Sequence, residues 1–177
     1  MLSSILLRSS LPTTLLSRSA STTGAAVCLQ LGGPLVYDPS WPVSKPLPGE
    51  VRVKVAATGV NFAEILQTRG LYQEKKEPPF CPGNECAGEV SSVGEGSPFK
   101  IGDRVICLAR GNGYAGSVVA DSRACVKLPE AAKSMDLAEA AALLVNYGTA
   151  HLALTDRADL QKGETVLVTA AVSIFGF

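Results

Sequence analysis

Between Pro82 and Val105 the sequence reads PGNECAGEVSSVGEGSPFKIGDRV, with glycine at 83, 88, 94, 96 and 102. Glycine adopts backbone angles closed to other residues and lets a second backbone come close, so glycines this dense exclude a long helix. They cut the chain into short extended pieces joined by tight turns. The same rhythm holds on either side. GEVRVKVAATGV sets Val51, Val53 and Val55 against Arg52 and Lys54, the period of two expected of a strand with one buried face. CAGEVSSVG, DRVICLA and GSVVADSRACVKLP are three further strand candidates, the last two separated by RGNGYAG. Short strands joined by Gly-rich turns predict a small β-barrel or sandwich.

Two stretches break the pattern. NFAEILQTRG carries Phe62, Ile65 and Leu66 at helical spacing and ends at Gly70, which predicts a short helix. LYQEKKEPPFCPGNE follows as a loop with three prolines, its run from Glu74 to Glu77 a solvated tip. Glu85 lies at the end of that loop, at the mouth of the expected barrel. The structural reading is that it ties down the turn by accepting backbone N–H groups.

Beyond Ser134 the character changes to MDLAEAAALLVNYGTAHLALTDRADL. Asp136 with Glu139 three residues on makes a capping box, and Ala138, Ala141, Ala142 and Val145 line one helical face. Gly148 is expected to interrupt this helix, with a second one starting near Thr149. LQKGETVLVTAA then presents a strand, Thr165 to Thr169, apolar on both faces as in a buried parallel sheet. The expected organisation is a β-rich domain over 26–135 and the first helix and strand of an α/β domain over 136–177.

The start of the chain stands apart. No acidic residue occurs before Asp38, while Arg8, Arg18 and many Ser and Thr do. This composition suits a mitochondrial transit peptide, with a disordered tail as the alternative reading, so residues 1 to about 25 are left out of the expected fold and a matrix location is expected. Sixteen basic and 16 acidic residues give a formal net charge of zero, which argues against nucleic acid or an anionic membrane surface as partner. No apolar run approaches the roughly 20 residues that span a bilayer. The five cysteines contain no CxxC pair, and an odd, scattered set reads as free thiols in a reducing compartment.

The order of GEVRVKVAATGVNFAEILQTRG, PPFCPGNECAGEVSSVGEGSPFKIGDRV, GYAGSVVADSRACVKLP, AAALLVNYGTAHLAL and LQKGETVLVTAA resembles the quinone oxidoreductase branch of the medium-chain dehydrogenase/reductases, over about residues 26 to 171. The resemblance implies a GroES-like barrel domain followed by a Rossmann α/β domain, here truncated. It implies NADPH as cofactor and a quinone or α,β-unsaturated carbonyl as small-molecule acceptor. Asn61 would then stand beside the nicotinamide or the substrate carbonyl, Tyr72 would offer its hydroxyl at the substrate mouth, and Thr149 would contact the nicotinamide end. Each has a plainer alternative: a turn residue, a loop anchor and a helix N-cap. His151 is given no role.

Zinc-dependent members of the superfamily have GHE where this chain has GNE, with Asn84 in the histidine position, and no Cys occurs in GVNFAE. A catalytic zinc needs three protein ligands of Cys, His or carboxylate type, so no metal is expected; Cys81 and Cys86 beside Glu85 leave only a weak alternative. Family members follow the last strand with a turn of the form A-x-G-G-V-G, where glycines let the backbone reach a pyrophosphate. Here Val172, Ser173, Ile174 and Phe175 follow Ala171. Two classes of function therefore stand side by side. One is an NADPH-dependent oxidoreductase, with a 2-enoyl thioester reductase as a variant. The other is a non-catalytic module that forms a homodimer or associates with a longer form of the protein.

Overall fold

The computed structural model describes residues 19–169. Strands β1 (Ser19–Cys28) and β2 (Leu35–Ser44) form an antiparallel two-stranded ribbon with irregularities between Ser19 and Ser21 and between Thr23 and Ala25. Pro39 and Pro42 lie within β2. Proline cannot donate to a ladder, and a two-stranded ribbon tolerates it because one edge of each strand is unpaired.

The remaining strands are β3 (Glu50–Thr58), β4 (Glu85–Val93), β5 (Arg104–Leu108), β6 (Ser117–Asp121) and β7 (Cys125–Lys127), with helix α1 (Phe62–Thr68) between β3 and β4. They form one antiparallel sheet in the order β6-β3-β4-β5-β7. The sequence GSVVADSRACVKLP, read above as a single strand candidate, is divided between β6 and β7 by a tight turn at Ser122–Ala124. These consecutive strands occupy opposite edges of the sheet. Five strands laid flat place their outer members about 19 Å apart, while the few residues from Asp121 to Cys125 reach about 14 Å at most. The sheet must therefore curl, and its curvature makes the half-barrel. Bridges Ala25↔Ala115 and Cys28↔Phe80 attach the ribbon to it.

The alternation in β3 places Val51 and Val53 in the interior with Cys86, Val90, Val105, Cys107, Val118, Ala120 and Cys125. Each fully buried valine contributes roughly 1.5–3 kcal/mol relative to an exposed one. The opposite face of the sheet, at Ala87, Ile106 and Leu128, is covered by Ala140 and Ala141 of helix α2 (Leu137–Ala141). A third cluster joins Ala25, Val27 and Trp41 of the ribbon to Cys81 and Ala115.

Asp136 caps α2, its carboxylate accepting the Ala138 N–H at 2.9 Å. The expected break at Gly148 is absent: at φ −62° and ψ −42° it is helical, and a turn of π geometry (Leu143–Tyr147), helix α3 (Gly148–Leu152) and a second π turn (Ala153–Arg157) follow α2. A single helical glycine costs only about 1 kcal/mol against alanine and does not by itself end a helix.

Two more expectations need correction. Thr165 to Thr169 joins no sheet among the described residues, and Val166, Leu167 and Val168 are exposed. A strand apolar on both faces forms a ladder only where neighbouring strands flank it, and none of the described strands does. At the other end, Ser19 to Ala25 fall inside the segment left out of the expected fold yet belong to β1, with Ala25 and Val27 buried. Threonine is β-branched and suits a strand, so Ser and Thr richness did not mark a tail here. Residues 1–18, the greater part of the transit-peptide reading, and residues 170–177, which hold the VSIFGF sequence, lie outside the described residues.

Candidate active site

Helix α1 is built inside out. Asn61, at its N-cap, Glu64 and Gln67 are 3%, 2% and 5% exposed, while Phe62 and Ile65, whose spacing identifies the helix, are 57% and 40% exposed. Buried polar side chains need partners, and most of these have them. The Asn61 backbone N–H donates to Glu64 Oε2 at 3.0 Å, and Glu64 Oε1 accepts the Asn84 N–H at 2.9 Å. Glu64 thus closes the N-terminus of α1 and ties it to the loop before β4.

Glu85 does not sit in a turn, as the sequence reading had it, but opens β4 and is 1% exposed. Its Oε1 accepts from Asn61 Nδ2 at 2.9 Å and its Oε2 accepts the Val145 N–H at 2.8 Å. The Val145 amide lies in the first π turn, a geometry that commonly marks functional sites because it departs from the regular helical pairing. Thr58 Oγ1 donates to the Glu85 carbonyl at 2.8 Å. Gly59 is required alongside: a β-carbon there would stand 2.2 Å from Glu85 Oε1.

Among the described residues, four buried side-chain atoms have no hydrogen-bond partner: Asn61 Oδ1, Gln67 Oε1, the Tyr114 hydroxyl and Asn146 Oδ1. An unsatisfied buried group costs about 1–3 kcal/mol. Burial pushes the Tyr114 phenol above its ordinary pKa, and the acidic groups of Glu64, Cys81 and Glu85 push it further. Tyr114 therefore lies within electrostatic reach of both carboxyl groups. A cleft of about 420 Å³, walled by Val55, Thr58, Val60 and Tyr114 among others, adjoins it.

Of the residues singled out from sequence, Asn61 sits in this constellation. Tyr72 is half-buried after α1, its backbone N–H donating to the Leu66 carbonyl at 3.2 Å. Thr149 is exposed inside α3, so it is not the N-cap of a separate helix. Among the described residues neither side chain hydrogen-bonds to Asn61 or Glu85. Glu64, Gln67, Tyr114 and Asn146 were not anticipated. The N-x-x-E spacing of Asn61 and Glu64 is a capping-box signal of the same kind as that at Asp136, and it was available in the sequence.

Among the described residues no three His, Cys, Asp or Glu side chains stand together as a metal site. Cys81 and Cys86 belong to different core clusters, Cys86 packing instead against Cys107 with the sulfurs 3.2 Å apart.

The alcohol dehydrogenase GroES-like domain family matches residues 47–130. Quinone oxidoreductase-like protein 2 of Bos taurus is 47% identical over 154 residues, which is 86% of this chain and 43% of that protein. The quinone oxidoreductase of Thermus thermophilus, solved also in complex with NADPH, superposes with a TM-score of 0.73 at 38% identity over 86% of this chain and 47% of its own. The CurK enoyl reductase superposes at 0.70 with 31% identity over 80% of this chain and 45% of its own. The chain thus spans less than half the length of each.

Proposed function

The chain belongs to the quinone oxidoreductase-like branch of the medium-chain dehydrogenase/reductases, and from that premise we propose that it supplies the acceptor-side half of an NADPH-dependent, zinc-free oxidoreductase. The acceptor class is a quinone or an α,β-unsaturated carbonyl. The observation that carries this reading is the buried Asn61–Glu85–Val145 constellation, which ties the start of α1, the start of β4 and the first π turn together.

NADPH, when bound, supplies the hydride. This chain's own residues bind and orient. The orphaned Asn61 Oδ1 fits a group that donates a hydrogen bond, and Thr149, exposed on the helix after Val145, is the proposed contact for the nicotinamide end. Tyr72 is proposed to stand at the substrate mouth and offer its hydroxyl to the acceptor oxygen. Asn84, an amide where zinc-dependent relatives carry a histidine, supports hydride transfer without a Lewis-acid metal.

Cofactor affinity is a separate matter. Val172, Ser173, Ile174 and Phe175 put side chains where a dinucleotide-binding turn has glycine. The purified chain is therefore expected to bind NADPH poorly in a fluorescence titration and to reduce no quinone by itself. A micromolar dissociation constant would contradict this.

A 2-enoyl thioester reductase shares the premises, and the likeness to the CurK enoyl reductase favours keeping it as a substrate variant. A non-catalytic role, as a homodimer or in association with a longer form of the protein, is favoured by the exposed apolar side chains of Val166, Leu167 and Val168. The acid-free leader composition supports a mitochondrial matrix location.

A further inference from the structure

Lys76 does not behave as part of a solvated tip. Its side chain is half-buried and folded back over the loop at Arg110 and Gly111. Its Nζ lies 3.5 Å from the Arg110 carbonyl, 6.0 Å from the centre of the Phe80 ring and 3.2 Å from where a β-carbon would stand on Gly111. Lysine ordinarily carries its ammonium out to water along an apolar stem, and that ammonium has three hydrogens to donate. Here the protein offers it one long hydrogen bond. Arg110, exposed and at a left-handed φ of 48°, brings a second cation to the same loop. Among the described residues neither of the two is in an ion pair, and Asp121 feels the Arg110 charge less than that of Arg123, which holds it.

Lys76 and Arg110 line a cavity of about 320 Å³, within the range of small-molecule sites. Trp41, Pro79 and Phe80 give it flat apolar walls. Asn112 adds a neutral donor. Trp41 Nε1 can only donate, and does so to Asn112 Oδ1 at 3.0 Å, so Nδ2 is the end of that amide left without a protein partner. One carboxylate, Glu50, also lines the cavity, its Oε2 accepting the Leu47 N–H at 2.8 Å. Two cations against one carboxylate leave one positive charge over, which a monoanion cancels and a phosphate dianion overshoots.

We propose that this cavity is a binding site for a small organic monoanion, a carboxylate on a flat apolar body. Lys76 and Arg110 hold the carboxylate, and Trp41, Pro79 and Phe80 hold the body. The planar fork of arginine matches a carboxylate with two parallel hydrogen bonds, and lysine adds a point charge. A bound anion also offsets the repulsion between the two cations. No residue of the Asn61–Glu85–Val145 constellation lines the cavity, so the proposal does not rest on the oxidoreductase reading.

Trp41 is the one tryptophan of the chain and forms part of the wall, so its emission reports on the site. The probe is phenylacetate, which is transparent where tryptophan is excited, added to the whole chain at fixed ionic strength. Phenylacetamide is its uncharged counterpart, and inorganic phosphate is the anion without an apolar body. Phenylacetate is expected to change the Trp41 emission saturably at millimolar concentration or below. It should bind about tenfold more tightly than phenylacetamide, the effect of one charge-assisted hydrogen bond. Lys76→Gln and Arg110→Gln, both outside the core clusters, are expected to bring that ratio toward one and to leave the affinity for phenylacetamide as it is. Phosphate is expected not to displace phenylacetate. Saturation-transfer NMR of the probe's ring protons reads the same titrations if the emission is insensitive. Absence of saturable binding by both methods, equal affinities for the acid and the amide, or an unchanged ratio in both variants would overturn the proposal. Displacement by phosphate at comparable concentration would overturn it too, since the cations would then be attracting any anion.

Discussion

At Gly83 a φ of 101° coincides with close contact between two loops: a β-carbon there would stand 2.6 Å from the Tyr114 nitrogen and 2.7 Å from the Gly113 α-carbon. The segment from Cys81 to Gly83 is bonded to the one from Gly111 to Tyr114 through four backbone hydrogen bonds, so neither side can give way without losing pairs. Gly83→Ala is expected to destabilise the chain by about 1–3 kcal/mol, from left-handed strain together with displaced backbone. Urea denaturation measures it, and a change below about 0.5 kcal/mol, the scale of ordinary surface substitutions, would contradict the argument. Asp121 shows a second single-residue effect. Hydrogen bonds from the Arg123 side chain and backbone hold its carboxyl down to about 2. A carboxyl depressed in the folded chain favours folding above its ordinary value near about 3.9, and that contribution is lost as pH falls through the ordinary value toward about 2. The pair is exposed, so its effect on stability is small, but its titration is readable. Arg123→Gln is expected to raise the Asp121 carboxyl midpoint, followed by carbon NMR, toward the ordinary carboxylate range, and added salt should narrow the difference. An unchanged midpoint would remove Arg123 as the cause.

At the scale of elements, what was legible in the sequence follows the range of the forces involved. The strands of the curled sheet could be read locally, because alternation in Val51, Val53 and Val55 and the glycines at Gly83, Gly88 and Gly94 act within a few residues. Gly88 and Gly94 do sit against backbone, at Lys54 and Leu47. Helix α1 was legible as a helix and not as a site, since which face it buries is decided by Glu85 and the loop before it, some 20 residues away. The π turn at Val145 was not legible at all: its partner is 60 residues distant in sequence. The inverted face makes a paired prediction. Phe62→Ser, on the exposed side, is expected to change stability by no more than about 0.5 kcal/mol. Gln67→Leu, which removes a buried oxygen without a partner, is expected to be neutral or stabilising, since an unsatisfied acceptor costs about 1–3 kcal/mol. Thermal unfolding of both variants checks this; a large loss in Gln67→Leu would mean that Oε1 has a partner in solution.

At the scale of the whole molecule, the half-barrel is complete enough to bury a valine- and cysteine-rich interior, yet the chain matches less than half the length of its relatives. Tyr147, Leu152 and Leu154 are exposed, as are Val166, Leu167 and Val168, Leu167 at 86%. Apolar side chains this accessible, on a segment of high β-propensity that is paired with nothing described, favour association through that segment. Electrostatics offers little opposition, because the formal net charge is zero and the isoelectric point is about 6.6; proteins near zero net charge lack the mutual repulsion that keeps them apart. The chain is therefore expected to associate with increasing concentration in sedimentation velocity, most strongly near its isoelectric point and less as pH is raised. Leu167→Lys puts a charge in the middle of the segment without touching the barrel core, so it should reduce association and leave the unfolding midpoint of the dilute chain unchanged. If Leu167→Lys associates as the wild-type chain does, the contact lies elsewhere on the surface. If the wild-type chain stays monomeric at every pH, the exposed segment is not an adhesive edge, and the non-catalytic reading loses the observation that favours it.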